Sequence, residues 1–75
     1  MKVAKDDLVK QKEMLAEYVF QKIPYNGGFY ELKDFCEFTV NGKLHIECVM
    51  FHEDERIEIP ITEIFKICYP YVDLH

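Results

Sequence analysis

Apolar and polar side chains alternate with a period of two residues between positions 29 and 61. This period is typical of strands that bury one face of a sheet. Two long runs flank Asn41-Gly42, and a shorter run follows the acidic segment 53–55. The pattern predicts a three-stranded antiparallel meander with the second strand in the centre. Its core-facing residues would be Tyr30, Leu32, Cys36, Phe38, Leu44, Ile46, Cys48, Met50, Ile57, Ile59 and Ile61.

The turn at Asn41-Gly42 decides the register of the first two strands. A two-residue loop would place Phe38 opposite His45, so that an apolar side chain faced a polar one. A loop one residue longer places Phe38 opposite Leu44 and joins the two apolar sets on one face. We therefore predict a type I turn with Gly42 in the left-handed conformation as a G1 bulge. The type I′ turn that Asn-Gly usually favours is the alternative.

An amphipathic helix is predicted before the strands. Its apolar face would consist of Leu8, Leu15, Tyr18 and Val19, with Ile23 as a further candidate. Because Pro24 disfavours helical geometry at the residue before it, the helix is predicted to end near Lys22. The segment 24–28, which contains Asn26 and two glycines, is predicted to be a turn.

A short helix is predicted after the last strand, and Pro70 ends it. Its buried stripe would contain Ile61, Ile64, Phe65 and Cys68. The chain is thus predicted to be a single small domain over residues 1–75. Its fold class would be α+β, with an N-terminal helix, a three-stranded antiparallel meander and a short C-terminal helix.

The charge of the chain is uneven. Its net charge is −5, and residues 31–58 carry eight acids against Lys33, Lys43 and Arg56. Because phosphate contacts require Lys and Arg, this balance disfavours direct binding of nucleic acid. The acids lie mainly in the predicted sheet, so an acidic outer surface of the sheet is expected.

The compartment is inferred from the cysteines and from apolar runs. The chain contains three cysteines, Cys36, Cys48 and Cys68, and all lie within apolar patterns. An odd number of apolar-flanked cysteines favours reduced thiols in the cytoplasm over a disulfide framework. The N-terminal residues lack the apolar segment of a signal peptide. No apolar run approaches the roughly 20 residues that span a bilayer, so no membrane association is expected.

Candidate chemistry in the sequence is sparse. Asp34 lies at a core-facing parity opposite Cys48, which indicates a buried acid with a raised pKa or a polar anchor. The alternatives are a local bulge, or a first strand that begins at Phe35 with Asp34 in the turn before it. The Cys and His spacing does not suit zinc, because Cys48 and His52 lie about 13 Å apart on an extended strand. Glu37 and His45 form a cross-strand charge pair, but the chain contains no Ser to complete a triad. We expect no metal, no cofactor and no enzymatic activity; an enzyme built on Asp34, Cys48 or His45 is the least favoured alternative.

The leading hypothesis is a small acidic regulator or inhibitor that binds a protein with a basic surface. It would occupy the nucleic-acid-binding surface of its target by charge, as is typical of inhibitors encoded by phages and mobile elements. The acids of this surface would be Glu37, Glu47, Glu53, Asp54, Glu55 and Glu58.

A homodimer or a small subunit of a larger assembly is the alternative. Its contact would be a strand edge or an apolar patch at the end of the sheet far from Asn41-Gly42. The patch residues would be Phe35, Val49 and Phe51, with Tyr69 and Tyr71 as further aromatic contacts.

Overall fold

The computed structural model describes residues 5–72, with side chains from residue 7 onward. It has an α+β fold in which four strands, rather than the predicted three, form one antiparallel sheet in the order β1-β2-β3-β4. The elements in chain order are α1 (Lys5–Leu15), a 3-10 turn (Ala16–Tyr18), β1 (Lys22–Tyr25), β2 (Gly28–Val40), β3 (Lys43–His52), β4 (Glu55–Pro60) and α2 (Ile61–Cys68).

The strand that the sequence analysis missed is β1. The predicted turn over 24–28 is only two residues long, because Asn26 and Gly27 adopt φ values of 52° and 81° and pair Tyr25 with Gly28. The helix also ends at Leu15 and not near Lys22. Residues 22–25 pair with β2 and do not continue the helix, because the pairing buries Ile23 in the core, where it is 2% exposed.

The turn between β2 and β3 also differs from the prediction. Asn41 and Gly42 adopt φ values of 51° and 77°, and Val40 pairs with Lys43. Positive φ at both central residues is the type I′ geometry of a two-residue loop. The predicted three-residue loop is therefore wrong, and Phe38 lies opposite His45.

The extra residue that the burial pattern requires is a β-bulge inside β2. Leu32 pairs with Met50, and Asp34 pairs with the preceding residue of β3, Val49, so Lys33 is the inserted residue. A bulge reverses the alternation of faces along its strand. The bulge reading of Asp34 is thus the correct one, and Asp34 is exposed.

Both helices pack on one face of the sheet. The register of β4 is as predicted, with Met50 beside Ile57 and Cys48 beside Ile59. The buried stripe of α2 is also confirmed at Ile61, Ile64 and Phe65. The core cluster comprises Leu15, Ile23, Leu32, Ile46, Cys48, Met50, Ile61, Ile64 and Phe65.

Candidate functional site

The face of the sheet opposite the helices is the candidate site, and we call it the outer face. Directly opposed residues of antiparallel strands share a face. Val49 alternates with the core residues Cys48 and Met50, and it is buried without belonging to their cluster. No helix within residues 5–72 covers the outer face, because the helical core residues cluster with the other parity of β3.

Charges on the outer face are balanced. The bulge turns Glu37 to the helix face, where it forms an ion pair with Lys12 of α1. Glu37 therefore does not share a face with Glu47, and this part of the predicted acidic surface is wrong. Strand pairing and the bulge place Glu31, Asp34, Glu47 and Glu58 on the outer face with Lys22, Lys33, Lys43 and Arg56.

The remaining predicted acids lie at the tip of the β3–β4 hairpin. Glu55 accepts a hydrogen bond from the Tyr30 hydroxyl at 2.9 Å, and this bond is the main cause of the raised pKa of Tyr30. Glu53 and Asp54 form the two-residue loop between His52 and Glu55. On the outer face, Glu58 is paired with Arg56 at 2.5 Å.

The predicted apolar patch is not assembled. Phe35 lies opposite Cys48 on the helix face, with the Lys12 ammonium 5.9 Å from its ring centroid. Val49 and Phe51 stay on the outer face, so the bulge separates them from Phe35. A patch made of all three residues is therefore ruled out by the register.

The two C-terminal tyrosines have different surroundings. The Tyr69 hydroxyl donates to the Met14 carbonyl at 3.0 Å and to Glu17 Oε1 at 2.8 Å. Burial, followed by the hydrogen bond to Glu17, raises the pKa of Tyr69 to about 12. Tyr69 thus packs against α1, whereas Tyr71 is 98% exposed and free to contact a partner.

A groove crosses the outer face beside the acidic tip. Its volume is about 670 Å³. Phe29, which is 62% exposed, forms part of its wall. His52 Nδ1 donates to the Phe29 carbonyl at 2.9 Å and so fixes the tip beside Phe29. The groove is lined by Lys22, Gly28, Phe29, Glu31, Lys33, Phe51, His52 and Glu53.

Phe20 is a second protruding ring close to Lys33. Its φ is 71°, which is strained for an aromatic residue, and its N–H donates to the Leu32 carbonyl at 2.6 Å. The ring is 70% exposed, and the Lys33 ammonium lies 5.5 Å from its centroid. The same ammonium lies 3.2 Å from Glu31 Oε2, so it links Phe20 to the charged wall of the groove.

Sequence reasoning missed Phe20, Phe29 and Lys22 because it did not identify β1. The alternation of Ile23 and Tyr25 before Asn26-Gly27 was the available signal, since Asn-Gly between alternating residues favours a hairpin. It also missed Gln11, which is 1% exposed on α1. Gln11 Oε1 has no hydrogen-bond partner among the described residues.

The candidate catalytic residues are not brought together. His45 stacks on Phe38 with ring centroids 5.3 Å apart, and Glu37 is on the other face, so their predicted pair is wrong. The three cysteines are free thiols. Within residues 5–72, no group of three or more His, Cys, Asp or Glu side chains is arranged to hold a metal ion.

Burial controls the acidity of two of the thiols. It raises the pKa of Cys48 to about 12, with a smaller contribution from Cys68. Burial also raises the pKa of Cys68. Both thiols are therefore protonated near neutral pH, and a protonated thiol is a poor nucleophile.

None of the helices in the described part of the chain is both long and apolar enough to cross a bilayer. Comparisons with known proteins found no match: no protein-family model, no curated protein and no solved structure matches the chain.

Proposed function

We propose that this protein is a non-catalytic protein-binding regulator or inhibitor that contacts its partner through the outer face. The observation that carries the proposal is the position of Phe29 beside the acidic tip. Phe29 is 62% exposed, and the groove that it lines also reaches Glu53. A protruding aromatic side chain next to a charged rim is a common arrangement of an interaction surface.

The proposed partner has a basic surface next to an apolar pocket. Phe29 would fill the pocket, while Glu53 and Asp54 would face Lys or Arg side chains. These two acids extend from a two-residue loop, whereas Glu55 is held by Tyr30. Electrostatic complementarity of this kind increases the association rate and makes it dependent on salt. In the narrower form of the proposal, the protein occupies the nucleic-acid-binding surface of its partner. This form now depends on Glu53 and Asp54 and not on all six acids predicted from the sequence.

Affinity capture from the native host, with four variants as bait, tests the proposal. Phe29→Asp is paired with Val9→Asp, because Val9 is an exposed apolar residue on the helix layer. Asp54→Lys is paired with Glu63→Lys, an equal change of charge on α2. We expect one partner to be retained by the wild type and both controls, and to be lost with Phe29→Asp.

The salt dependence of capture tests the contribution of the acidic tip separately from that of Phe29. Asp54→Lys should weaken capture at low salt and flatten its dependence on salt, while Glu63→Lys should behave as the wild type does. Equal capture of the partner by Phe29→Asp and by the wild type would contradict the assignment of partner binding to the surface around Phe29. If the captured protein binds nucleic acid, displacement of that nucleic acid by the wild type supports the narrower form.

A further inference from the structure

The edge of β2 near the Asn41-Gly42 turn is open. Pairing of β1 with β2 covers only residues 28–31, and Leu32 adds hydrogen bonds to Gln21 and Phe20. Beyond the bulge, β2 pairs with β3 on one side. On its other side, residues 35–40 have no strand partner within residues 5–72.

Strand geometry identifies the backbone groups that point to this open edge. The residues that flank a two-residue hairpin loop exchange both hydrogen bonds, so Val40 directs its peptide groups to β3. By alternation, Phe35, Glu37 and Thr39 direct theirs to the open edge. The Phe35 N–H already donates to Asp34 Oδ1 at 2.8 Å. The N–H groups of Glu37 and Thr39 remain for a partner.

Each of the two outermost edges of the sheet carries an outward-facing proline, and residues 35–40 of β2 carry none. Tyr25 and Glu55 flank two-residue loops, so the same alternation turns Pro24 of β1 and Pro60 of β4 outward. Proline at an outward position prevents the pairing of another strand. Residues 35–40 contain no proline and no Lys or Arg.

The side chains along the open edge are suited to pairing. Cys36, Phe38 and Val40 lie on the outer face, where Phe38 is 36% exposed and Val40 is 46% exposed. Glu37 is the one charged residue in this segment, and Lys12 of the same chain already neutralises it. The edge therefore offers an apolar row and backbone donors without a net charge to attract a basic partner.

We propose that this edge pairs with the same edge of a second copy of the chain. The two-fold axis would pass between the Phe38 residues of the two copies. Glu37 would then lie opposite Thr39 of the second copy, and the two such pairs would form four backbone hydrogen bonds. Cys36 would lie opposite Val40 of the second copy, which extends the apolar row across the axis.

This register is favoured by charge. An axis at Glu37 would place the two Glu37 side chains directly opposite each other, and like charges in that position are destabilising. The axis at Phe38 instead places the two Phe38 rings opposite each other in a pair without mutual hydrogen bonds, and side chains in such a pair lie close together. Because both copies use the same edge in a two-fold contact, the assembly closes as a dimer and does not extend into a fibre. The contact does not involve Phe29 and is independent of the proposed function.

The first test compares proline at two outward positions by light scattering after size exclusion. Thr39→Pro removes the N–H that the proposed pairing uses, while Glu58→Pro makes the same change on the edge of β4. We expect the wild type and Glu58→Pro to dimerise as concentration rises to roughly 1 mM, and Thr39→Pro to raise the dissociation constant at least about tenfold. Far-UV circular dichroism verifies that both variants are folded.

The second test is a cross-link that depends on the register. Directly opposed residues of a pair without mutual hydrogen bonds have Cα atoms about 4.5 Å apart, which a disulfide spans. Val40→Cys should therefore form a covalent dimer with Cys36 of the second copy under mild oxidation. Thr39→Cys is the control, because its side chain lies opposite Glu37 on the other face and should not cross-link.

Three results would overturn the proposal. They are a wild-type chain that stays monomeric at roughly 1 mM, a dimer that Thr39→Pro does not weaken, and a dimer in which Val40→Cys fails to cross-link while Thr39→Cys succeeds. If the chain stays monomeric and this edge instead binds a strand of a different protein, the proposal is likewise overturned.

Discussion

Lys33 is the residue that determines which side chains of β2 reach each face. The sequence pattern correctly required one extra residue in the hairpin, but it placed that residue at Gly42. The charge of Asp34 within an apolar series was the signal for the true position, because a bulge exposes a carboxylate that would otherwise be buried. The position of the bulge matters for function, since it moves Phe35 and Glu37 to the helix face.

Cys48 makes the stability of the fold dependent on pH in alkaline solution. Its pKa is raised from 9.0 in a free thiol to about 12 in the folded protein, mainly by burial. A raised folded-state pKa contributes stability that is complete below the unfolded value and is lost as the pH rises towards the folded value. The free energy of unfolding should thus decrease by about 1 kcal/mol between pH 8 and pH 10 through this thiol.

Urea unfolding at the two pH values measures this effect. Cys48→Ala should lower stability at both pH values because it leaves a cavity, and it should make the difference between them smaller by about 1 kcal/mol. Cys36→Ala serves as the control and should keep the difference found in the wild type. An equal pH dependence in the wild type and Cys48→Ala would show that this thiol does not contribute.

At the scale of elements, the sequence predicted the segments that have a clear period. The central strands, the loop at Glu53-Asp54 and the stripe of α2 were predictable because their apolar residues repeat over several turns or strand positions. The four-residue β1 was missed, since two core-directed residues, Ile23 and Tyr25, do not establish a period without the Asn26-Gly27 turn signal beside them. Tertiary pairing with β2, which local propensity does not show, also ends α1 early.

The turn at Asn41-Gly42 gives a prediction at this scale. Gly42 has a φ of 77°, whereas Gly28 lies in β2 without a positive φ, and neither has a heavy atom near the position of an added Cβ. Gly42→Ala should therefore lower the free energy of unfolding by about 1 kcal/mol through backbone strain alone. Urea unfolding should show a clearly smaller loss for Gly28→Ala, and a reversed order would contradict the turn geometry.

For the whole molecule, the interaction surfaces follow from topology and not from composition. The net charge of −5 suggested an acidic sheet, yet the outer face carries four acids and four bases. What remains from the sequence prediction is the acidic tip at Glu53 and Asp54. The open edge of β2 could not be located from the sequence, because it depends on β1 pairing only at residues 28–31.

Within residues 5–72, the edge of β2 at residues 35–40 has no strand partner and no proline, and we propose that it pairs with a second copy of the chain. Amide hydrogen exchange followed by NMR at two protein concentrations tests it most directly. The N–H groups of Cys36 and Phe38 point to β3 and should be protected at both concentrations. Those of Glu37 and Thr39 should be protected at high concentration and should exchange rapidly after dilution. Rapid exchange of Glu37 and Thr39 at every concentration, beside protected Cys36 and Phe38, would contradict the pairing of two copies.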